Sequence, residues 1–133
     1  MCGFTGYLSD LVEAESNLIR LMADRLNSRG PDSDGIWLNK EDGVAIGHKR
    51  LSILDLSEAG NQPILSKNKR YVLAYNGEIY NHLELRNNSS FKKHNWIGTS
   101  DSETLVECIS EWGLEKTLKN LNGMFAFSLW DRK

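Results

Sequence analysis

Cysteine and proline are scarce in this sequence, with two residues of each among 133. Cys2 and Cys108 are too few for a disulfide framework, which favours a reducing, cytoplasmic setting. The sequence also lacks a basic start followed by an apolar stretch, and it has no apolar run of bilayer-spanning length. We therefore expect neither a secretory signal nor a membrane partner. A formal net charge of −2 argues against nucleic acid as a partner.

Metal and phosphate sites have no signature in the sequence either. His48, His82 and His94 show no metal-ligand spacing with one another or with the cysteines, and no glycine-rich phosphate loop is present. We therefore expect this chain to hold no metal and no cofactor. His48, on an apolar strand, is interpreted as a satisfied core histidine. Cys108, on the apolar face of a helix, is interpreted as a packing residue.

Strands and helices are mixed along the chain, and no linker or repeat divides it, so residues 1–133 are interpreted as one α+β domain. Alternating or continuous apolar residues between turn signals predict strands at 2–8, 35–38, 44–48, 71–75 and 124–130. The strands 35–38 and 44–48 are expected to form a hairpin through 39–43. Residues 124–130 are apolar on both faces, which predicts a strand that is covered on both sides.

Three helices are predicted from capping boxes, in which Asp, Asn or Ser precedes Glu by three residues. The boxes begin at Asp10, Asn81 and Ser100. The first helix should end before the Gly-Pro loop that starts at Arg29, and the third should bury a stripe that includes Cys108. The last predicted strand is followed only by 131–133, so we expect an incomplete C-terminal edge and self-association through it.

Cys2 could combine a nucleophile and its base in one residue. Removal of Met1 would leave a free α-amine on the residue that carries the thiol, and such an amine has a pKa of roughly 7.7–8.0, which suits a general base near neutral pH. A cysteine at position 2 is more often a small buried hydrophobe, and that alternative stays open on this evidence.

Asn76-Gly77 has two interpretations of about equal weight. The pair is the strongest short signal for a two-residue hairpin turn. The following residues, however, lead into a helix cap and not into an alternating return strand. At a strand end, the Gly77 N–H and the Asn76 amide would supply the two donors that a tetrahedral oxyanion needs.

Three charged residues have a binding interpretation beside a plain one. Arg50 could hold a substrate carboxylate through its planar guanidinium, or it could be a solvated charge at a strand end. Asp101 and Glu78 could accept hydrogen bonds from a substrate ammonium group. They could also be no more than favourable surface anions, with Asp101 at a helix N-terminus.

Ordered motifs along the chain carry a family resemblance. They are Met1-Cys-Gly, Arg29-Gly-Pro-Asp-Ser-Asp-Gly, Gly47-His-Lys-Arg-Leu-Ser-Ile, Gly60-Asn-Gln-Pro, Tyr75-Asn-Gly-Glu-Ile-Tyr-Asn, Ser100-Asp-Ser-Glu and Leu121-Asn-Gly-Met-Phe-Ala-Phe-Ser-Leu-Trp-Asp. Together they resemble the class II glutamine amidotransferase domain of glutamine-hydrolysing asparagine synthetases and their relatives, over essentially the whole chain. The Arg-Gly-Pro-Asp and Asn-Gly-Glu-Ile-Tyr-Asn forms favour this branch over the glucosamine-phosphate synthase and phosphoribosyl-pyrophosphate amidotransferase branches.

The resemblance implies an N-terminal-nucleophile hydrolase fold, a four-layer αββα sandwich of antiparallel sheets, and hydrolysis of L-glutamine through a thioester on the N-terminal cysteine. By motif, Cys2 would be the nucleophile, and Asn76 with the Gly77 N–H would form the oxyanion hole. Arg50 would bind the glutamine α-carboxylate. The remaining site residues follow by motif as well: Glu78 and Asp101 facing the α-amine, Leu51, Ile53 and Leu54 lining the pocket by their backbone, and Arg29 in a loop near the nucleophile.

The same resemblance implies that ammonia passes to an ATP-activated acceptor, by default aspartate, in a synthetase domain that uses ATP and Mg²⁺ and is absent from these 133 residues. We therefore expect this truncated chain to be inactive by itself, also because Met1 would turn the Cys2 nitrogen into an amide. Ser28 stands where the family commonly has His. Three alternatives remain: a non-catalytic remnant that binds a partner, a self-processing or amide-hydrolysing enzyme of the same fold with another substrate, and an amidotransferase with a sugar or secondary-metabolite acceptor.

Overall fold

A computed structural model describes residues 2–9, 15–52 and 55–133 of the chain. Its strands are β1 (Gly3–Leu8), β2 (Ser33–Asn39), β3 (Val44–Arg50), β4 (Ile64–Leu65), β5 (Tyr71–Ile79) and β6 (Gly123–Asp131). Its α-helices are α1 (Ser16–Asp24), α2 (His82–Arg86), α3 (Asp101–Trp112) and α4 (Leu114–Asn120), and short 3-10 turns lie at Glu58–Gly60 and Ser89–Phe91. Every predicted strand is present, and the predicted hairpin is the pair β2–β3.

The strands form two antiparallel sheets. Sheet A has the order β1-β3-β2, and sheet B has the order β4-β5-β6. In sheet A, Gly3 of β1 lies opposite Lys49 of β3, so the start of β1 is beside the end of β3. In sheet B, β4 pairs with β5 only at Leu73 and Val72, and the later residues of β5 therefore have β6 as a backbone partner on one edge alone.

Alternation of side chains along the strands creates the buried layers. Val44 and Ile46 of sheet A pack with Val72 and Ala74 of sheet B, together with the aromatic ring of Trp130. Ala45, between the two sheet A residues, points to the opposite face and packs with Ile19 of α1. The period of two along a strand thus separates residues that face the other sheet from residues that face the helix.

Helix α3 covers the other face of sheet B. Leu105, Cys108 and Ile109 of this helix are buried in one cluster with Leu73 and Ile79 of β5. The predicted apolar stripe of the third helix is confirmed, and so is the packing role of Cys108, which is fully buried. The burial of this thiol raises its pKa to about 12.

The predicted helix starts need correction. Glu15 is extended, and its N–H donates to the Tyr7 hydroxyl at 2.7 Å, so α1 begins only at Ser16. The box at Asp10 lies outside the described residues. Asn81 precedes α2 as predicted, but its side chain donates to the Asn120 carbonyl instead of capping the helix, because α4 and β6 lie beside it.

The capping box of α3 is half confirmed. The Ser100 hydroxyl accepts from the Glu103 N–H at 3.2 Å, as a box requires. The Glu103 carboxylate does not reach back to Ser100. It accepts instead from the N–H groups of Ile97 and Gly98, at 2.7 and 2.9 Å, and so fixes the segment that enters the helix.

The interpretation that 124–130 is covered on both sides holds only in part. The strand is present as β6, the edge strand of sheet B, and Phe127 packs in the cluster with α3 while Trp130 packs on the opposite face against sheet A. Met124, at its start, is 72% exposed. Apolar composition on both faces reflects the pocket that its first residues line as well as the core. In the described ranges no helix is both long and apolar enough to cross a bilayer.

Candidate active site

A cavity of roughly 490 Å³ lies where the starts of β1 and β6 meet the middle of β5 and the N-terminus of α3. This volume is within the range that small-molecule sites occupy. The cavity brings together most of the residues singled out from the sequence: Cys2, Arg50, Leu51, Asn76, Gly77, Glu78 and Asp101. Ile53 and Leu54, also predicted for the site, lie outside the described residues.

Cys2 immediately precedes β1, and its thiol is held by the backbone that follows β3. The Leu51 N–H donates to the Cys2 sulfur at 3.3 Å, and the thiol lies 3.6 Å from the Leu51 carbonyl oxygen. Arg29 does not line the cavity. Its Nε donates instead to the Cys2 carbonyl oxygen at 3.1 Å, which fixes the backbone of the nucleophile candidate from the exposed side. The thiol is only partly buried, so Cys2 is not a core hydrophobe.

Asn76 and Gly77 do not form a turn, and β5 does not end at Tyr75. The strand continues to Ile79, with Asn76 opposite Ala126 and Gly77 opposite Phe125 of β6. The hairpin-turn interpretation is therefore wrong, and the strand-end interpretation is wrong in its boundary. A Cβ atom at Gly77 would lie 2.3 Å from the Met124 carbonyl oxygen, so the close pairing of β6 requires glycine at this position.

The direction of the Gly77 N–H follows from its neighbours on the strand. The Tyr75 N–H donates to Gln62 Oε1 at 2.6 Å, and the Ile79 N–H donates to Asp101 Oδ2 at 3.0 Å. Both bonds leave β5 on the edge away from β6. Because backbone groups two residues apart point to the same edge, the Gly77 N–H lies between these two bonds and faces the cavity. It is one backbone donor for a negatively charged oxygen.

Asn76 supplies a second candidate donor. Side chains alternate along β5, so Asn76 shares the sheet face of Val72 and Ala74, which looks toward sheet A and the start of β1. Its side chain is half buried at the cavity wall, and no other described residue accepts a hydrogen bond from its amide. An amide that faces a cavity with its donors unused fits the oxyanion role.

Arg50 is buried, with 7% of its surface exposed, so the solvated-charge interpretation is wrong. Its guanidinium donates to the carbonyl oxygens of Asp55 and Ser57 and to Asn61 Oδ1. These contacts use three of the five N–H groups of an arginine. The loop 55–61 thereby anchors the guanidinium at the cavity wall and leaves N–H groups for a ligand anion.

Asp101 and Glu78 give the cavity negative charge. Asp101, in the first turn of α3, is 6% exposed, and its Oδ2 accepts from the Tyr75 hydroxyl at 2.7 Å as well as from Ile79. Burial and the Asp101 charge raise the pKa of Tyr75, so the phenol remains a donor. Glu78 is exposed at the rim of the cavity. Asp101 is therefore more than a surface anion at a helix N-terminus.

Sequence reasoning missed two residues that shape the site, Gln62 and Tyr75. Both lie inside motifs that carried the resemblance, Gly60-Asn-Gln-Pro and Tyr75-Asn-Gly, but neither received a role. Asp55 was also missed. Its carboxylate accepts from the Ser57 hydroxyl and from the Thr99 N–H, and these hydrogen bonds lower its pKa to about 2.

His48 is a core residue, as expected, but only one of its two ring nitrogens has a hydrogen-bond partner among the described residues. The ring is fully buried, and Nε2 lies 3.0 Å from the Tyr75 carbonyl oxygen, whereas Nδ1 has no hydrogen-bond partner among the described residues. Burial lowers the pKa of His48 to about 4. The neutral ring, protonated on Nε2, then joins β3 to β5 directly before Asn76.

The cavity thus combines a thiol, two amide donors, a guanidinium and three carboxylate residues, of which Asp55 already accepts from Ser57 and Thr99. Donors for a carbonyl oxygen lie on β5, a cation lies at the end of β3, and anions lie on α3, on β5 and at Asp55 in the loop after β3. This distribution of charge fits a zwitterionic ligand that carries both a carboxylate and an ammonium group. The thiol and the amide donors fit acyl transfer at a carbonyl carbon.

Comparison with known proteins gives matches over the full chain. The family model described as "Glutamine amidotransferase domain" matches residues 1–133. Asparagine synthetase [glutamine-hydrolyzing] 3 of Bacillus subtilis (strain 168) is 41% identical over 138 residues, which cover 100% of this chain and 22% of that protein. The rice (Oryza sativa subsp. japonica) asparagine synthetase [glutamine-hydrolyzing] 2 is 38% identical over 135 residues, covering 100% of this chain and 22% of that protein.

Asparagine synthetase B [glutamine-hydrolyzing] of Escherichia coli (strain K12) is 40% identical over 134 residues, which cover 98% of this chain and 23% of that protein. The chain therefore spans less than a quarter of the length of these curated relatives.

Proposed function

Because this chain belongs to the family of glutamine amidotransferase domains, we propose that it hydrolyses L-glutamine to glutamate and ammonia. The observation that carries this proposal is the single cavity that holds Cys2 together with Asn76 and Gly77. A thiol beside two donors for an oxyanion is the arrangement that acyl transfer from an amide needs.

In the proposed reaction, the Cys2 sulfur attacks the side-chain carbonyl carbon of glutamine, and the free α-amine of Cys2 accepts the thiol proton. The carbonyl oxygen becomes negatively charged and accepts from the Asn76 amide and the Gly77 N–H. The C–N bond then breaks, and ammonia leaves with the proton that the α-amine returns. Water adds to the remaining thioester with the same groups, which releases glutamate and restores the thiol.

The charged residues of the cavity would select glutamine by the carboxylate and ammonium groups on its α-carbon. The N–H groups of Arg50 that its loop does not use would bind the α-carboxylate, and Asp101 and Glu78 would bind the α-ammonium group. Arg50 and Asp101 are both buried, so their charges act in a medium that screens them less than water does. The backbone at Leu51, beside the thiol, would complete the wall, and Arg29 would support it from outside the cavity.

We propose further that the fold is the four-layer sandwich of N-terminal-nucleophile hydrolases. The packing of α1 on sheet A, of sheet A on sheet B, and of sheet B on α3 supports this order of layers. The chain would be the glutaminase part of a longer cytoplasmic amidotransferase, whose synthetase domain uses ATP and Mg²⁺ to activate an acceptor, by default aspartate. The open edge of β6 would associate with other parts of that protein or, in the isolated chain, with a second copy.

The test is a pair of cysteine substitutions in the parent protein. Cys2→Ala should abolish glutamate release from glutamine, while synthesis that uses free ammonia should survive. Cys108→Ala is the matched control, because this thiol is buried away from the cavity, and it should keep glutaminase activity. Unchanged glutamine turnover in Cys2→Ala would exclude the proposed function.

A further inference from the structure

Tyr75 is a buried residue whose polar groups each bond a different element around the cavity. Its N–H donates to Gln62, its carbonyl oxygen accepts from His48 Nε2, and its hydroxyl donates to Asp101. The side chain is 3% exposed and packs in the cluster beneath α3. Three hydrogen bonds thus restrain the backbone and the hydroxyl of Tyr75, and they hold the hydroxyl beside Asp101.

The two oxygens of the Asp101 carboxylate have different surroundings. Oδ2 accepts from the Tyr75 hydroxyl at 2.7 Å and from the Ile79 N–H at 3.0 Å. No hydrogen bond from another described residue reaches Oδ1, although Asp101 lines the cavity and is 6% exposed. The two donors therefore hold the carboxylate in one orientation, with Oδ1 left for a ligand in the cavity.

We propose that Tyr75 is a positioning residue for recognition of the substrate α-ammonium group, which it controls by fixing the Asp101 carboxylate. This inference rests on the proposed glutaminase function. Tyr75 does not itself touch the ammonium group. Its hydroxyl sets which carboxylate oxygen faces the ligand.

A neutral phenol suits this task better than a charged donor. The raised pKa of Tyr75, which follows from burial and from the Asp101 charge, keeps the proton on the hydroxyl over the whole working range. A lysine or arginine at this place would neutralise Asp101 and weaken its attraction for a cation. A phenol orients the carboxylate and leaves its charge available to the substrate.

The experiment compares Tyr75→Phe with the wild type in the parent protein, with glutamine and with 4-carbamoylbutanoate, which is glutamine without its α-amino group. Tyr71→Phe is the control, since it also removes a tyrosine hydroxyl from β5, but at a residue that does not line the cavity. An Asp101 carboxylate that turns away loses its hydrogen bond to the substrate ammonium group, and a hydrogen bond to a charged group contributes about 1.5–3 kcal/mol, which corresponds to roughly 10- to 150-fold in affinity. We expect the glutamine KM to rise about tenfold or more, with kcat within about threefold of the wild type.

The deaminated compound separates positioning from a general structural role. Its kcat/KM, or its Ki against glutamine if turnover is slow, should change by less than about twofold in Tyr75→Phe. Equal losses with both compounds, or no loss with glutamine, would overturn the inference. In an Asp101→Asn background the Tyr75→Phe change should have no further effect on the glutamine KM, and a full additional loss there would also overturn it. A wild-type protein that fails to hydrolyse glutamine would instead refute the proposed function.

Discussion

The backbone nitrogen of Leu51 donates a hydrogen bond to the Cys2 sulfur at 3.3 Å. Leu51 directly follows Arg50, the proposed anchor for the substrate carboxylate, so one end of β3 positions both the proposed nucleophile and the proposed anchor. The antiparallel pairing of Gly3 with Lys49 maintains this proximity. The separation of the Cys2 thiol from the Arg50 guanidinium is therefore set by the strand pairing of sheet A.

A free amine on Cys2 should be required for activity. We expect the form of the parent protein that begins at Cys2 to release glutamate, and the form that retains Met1 to release none, because an amide nitrogen cannot accept the thiol proton. Both forms should be verified by intact mass before the assay. Treatment of the inactive form with methionine aminopeptidase should restore turnover. Full activity of a mass-verified Met1 form would disprove the role assigned to the amine.

Arg50→Lys should raise the glutamine KM by about tenfold or more and lower kcat much less. Lysine is a single charged donor that cannot replace a bidentate contact, and the lost binding is common to the ground and transition states. The variant should also melt at a lower temperature, since the guanidinium contacts to loop 55–61 disappear. Lys49→Arg, on the neighbouring residue that pairs with Asp24, is the control and should keep the wild-type KM. An unchanged KM in Arg50→Lys would show that this residue supports only the loop.

Gly77→Ala should destabilise the protein more than Gly3→Ala does. The new Cβ at position 77 would meet the backbone of Met124 and Phe125, which cannot move without separating β5 from β6. At Gly3 the nearest atoms belong to the Leu26 and Arg29 side chains, which can shift. Overpacking of this kind costs about 1–3 kcal/mol. Urea unfolding of both variants would measure the difference, and equal losses of unfolding free energy would contradict the account.

His48 should make the stability of the protein fall as the pH is lowered from about 6.5 to about 4. The pKa of His48 is about 4 in the folded state and 6.5 as the ordinary value, so the unfolded chain binds the proton more readily. The contribution is complete above the ordinary pKa and is lost as the pH falls through the folded one. Its slope approaches about 1.4 kcal/mol per pH unit within this window.

The measurement is the unfolding free energy of the wild type and of His48→Gln at several pH values. The difference between the two proteins isolates His48 from Glu107, whose pKa burial raises, and from Asp55, whose pKa of about 2 places its effect lower. The wild type should lose stability relative to the variant between pH 6.5 and 4. Parallel curves in that range would show that His48 is accessible to protons in the folded protein.

The spacing of apolar residues predicted the strands and the third helix well, because this spacing indicates which face of an element is buried. The caps were less accurate. Glu103 and Asn81 have the residue types and spacing of capping boxes, but their side chains bond backbone groups that only the folded chain brings near. Asn76-Gly77 was ambiguous for the same reason. A pair that favours a turn in isolation is held in a strand by the whole length of β6.

Within the site, the residue types that carry chemistry were visible from the sequence, and the residues that orient them were not. Cys2, Arg50 and Asp101 each kept a plain alternative when taken singly, and their proposed roles followed from the ordered motifs in which they lie. Gln62 and Tyr75 act through single hydrogen bonds across 13 and 26 residues of sequence, to Tyr75 and Asp101 respectively. No spacing rule connects residues that meet only through sheet B and α3.

The two edges of β5 have separate tasks, and this division restricts how the gene can change. Backbone groups at even positions from Val72 to Tyr80 face β6, while those of Tyr75, Gly77 and Ile79 face Gln62, the cavity and Asp101. Insertion or deletion of one codon between Tyr71 and Gly77 would shift one part of β5 by one residue against its partners, which would turn every side chain in that part to the opposite face of sheet B. The length of β5 between Tyr71 and Gly77 is therefore fixed by its pairing with β6 and by the cavity that it lines.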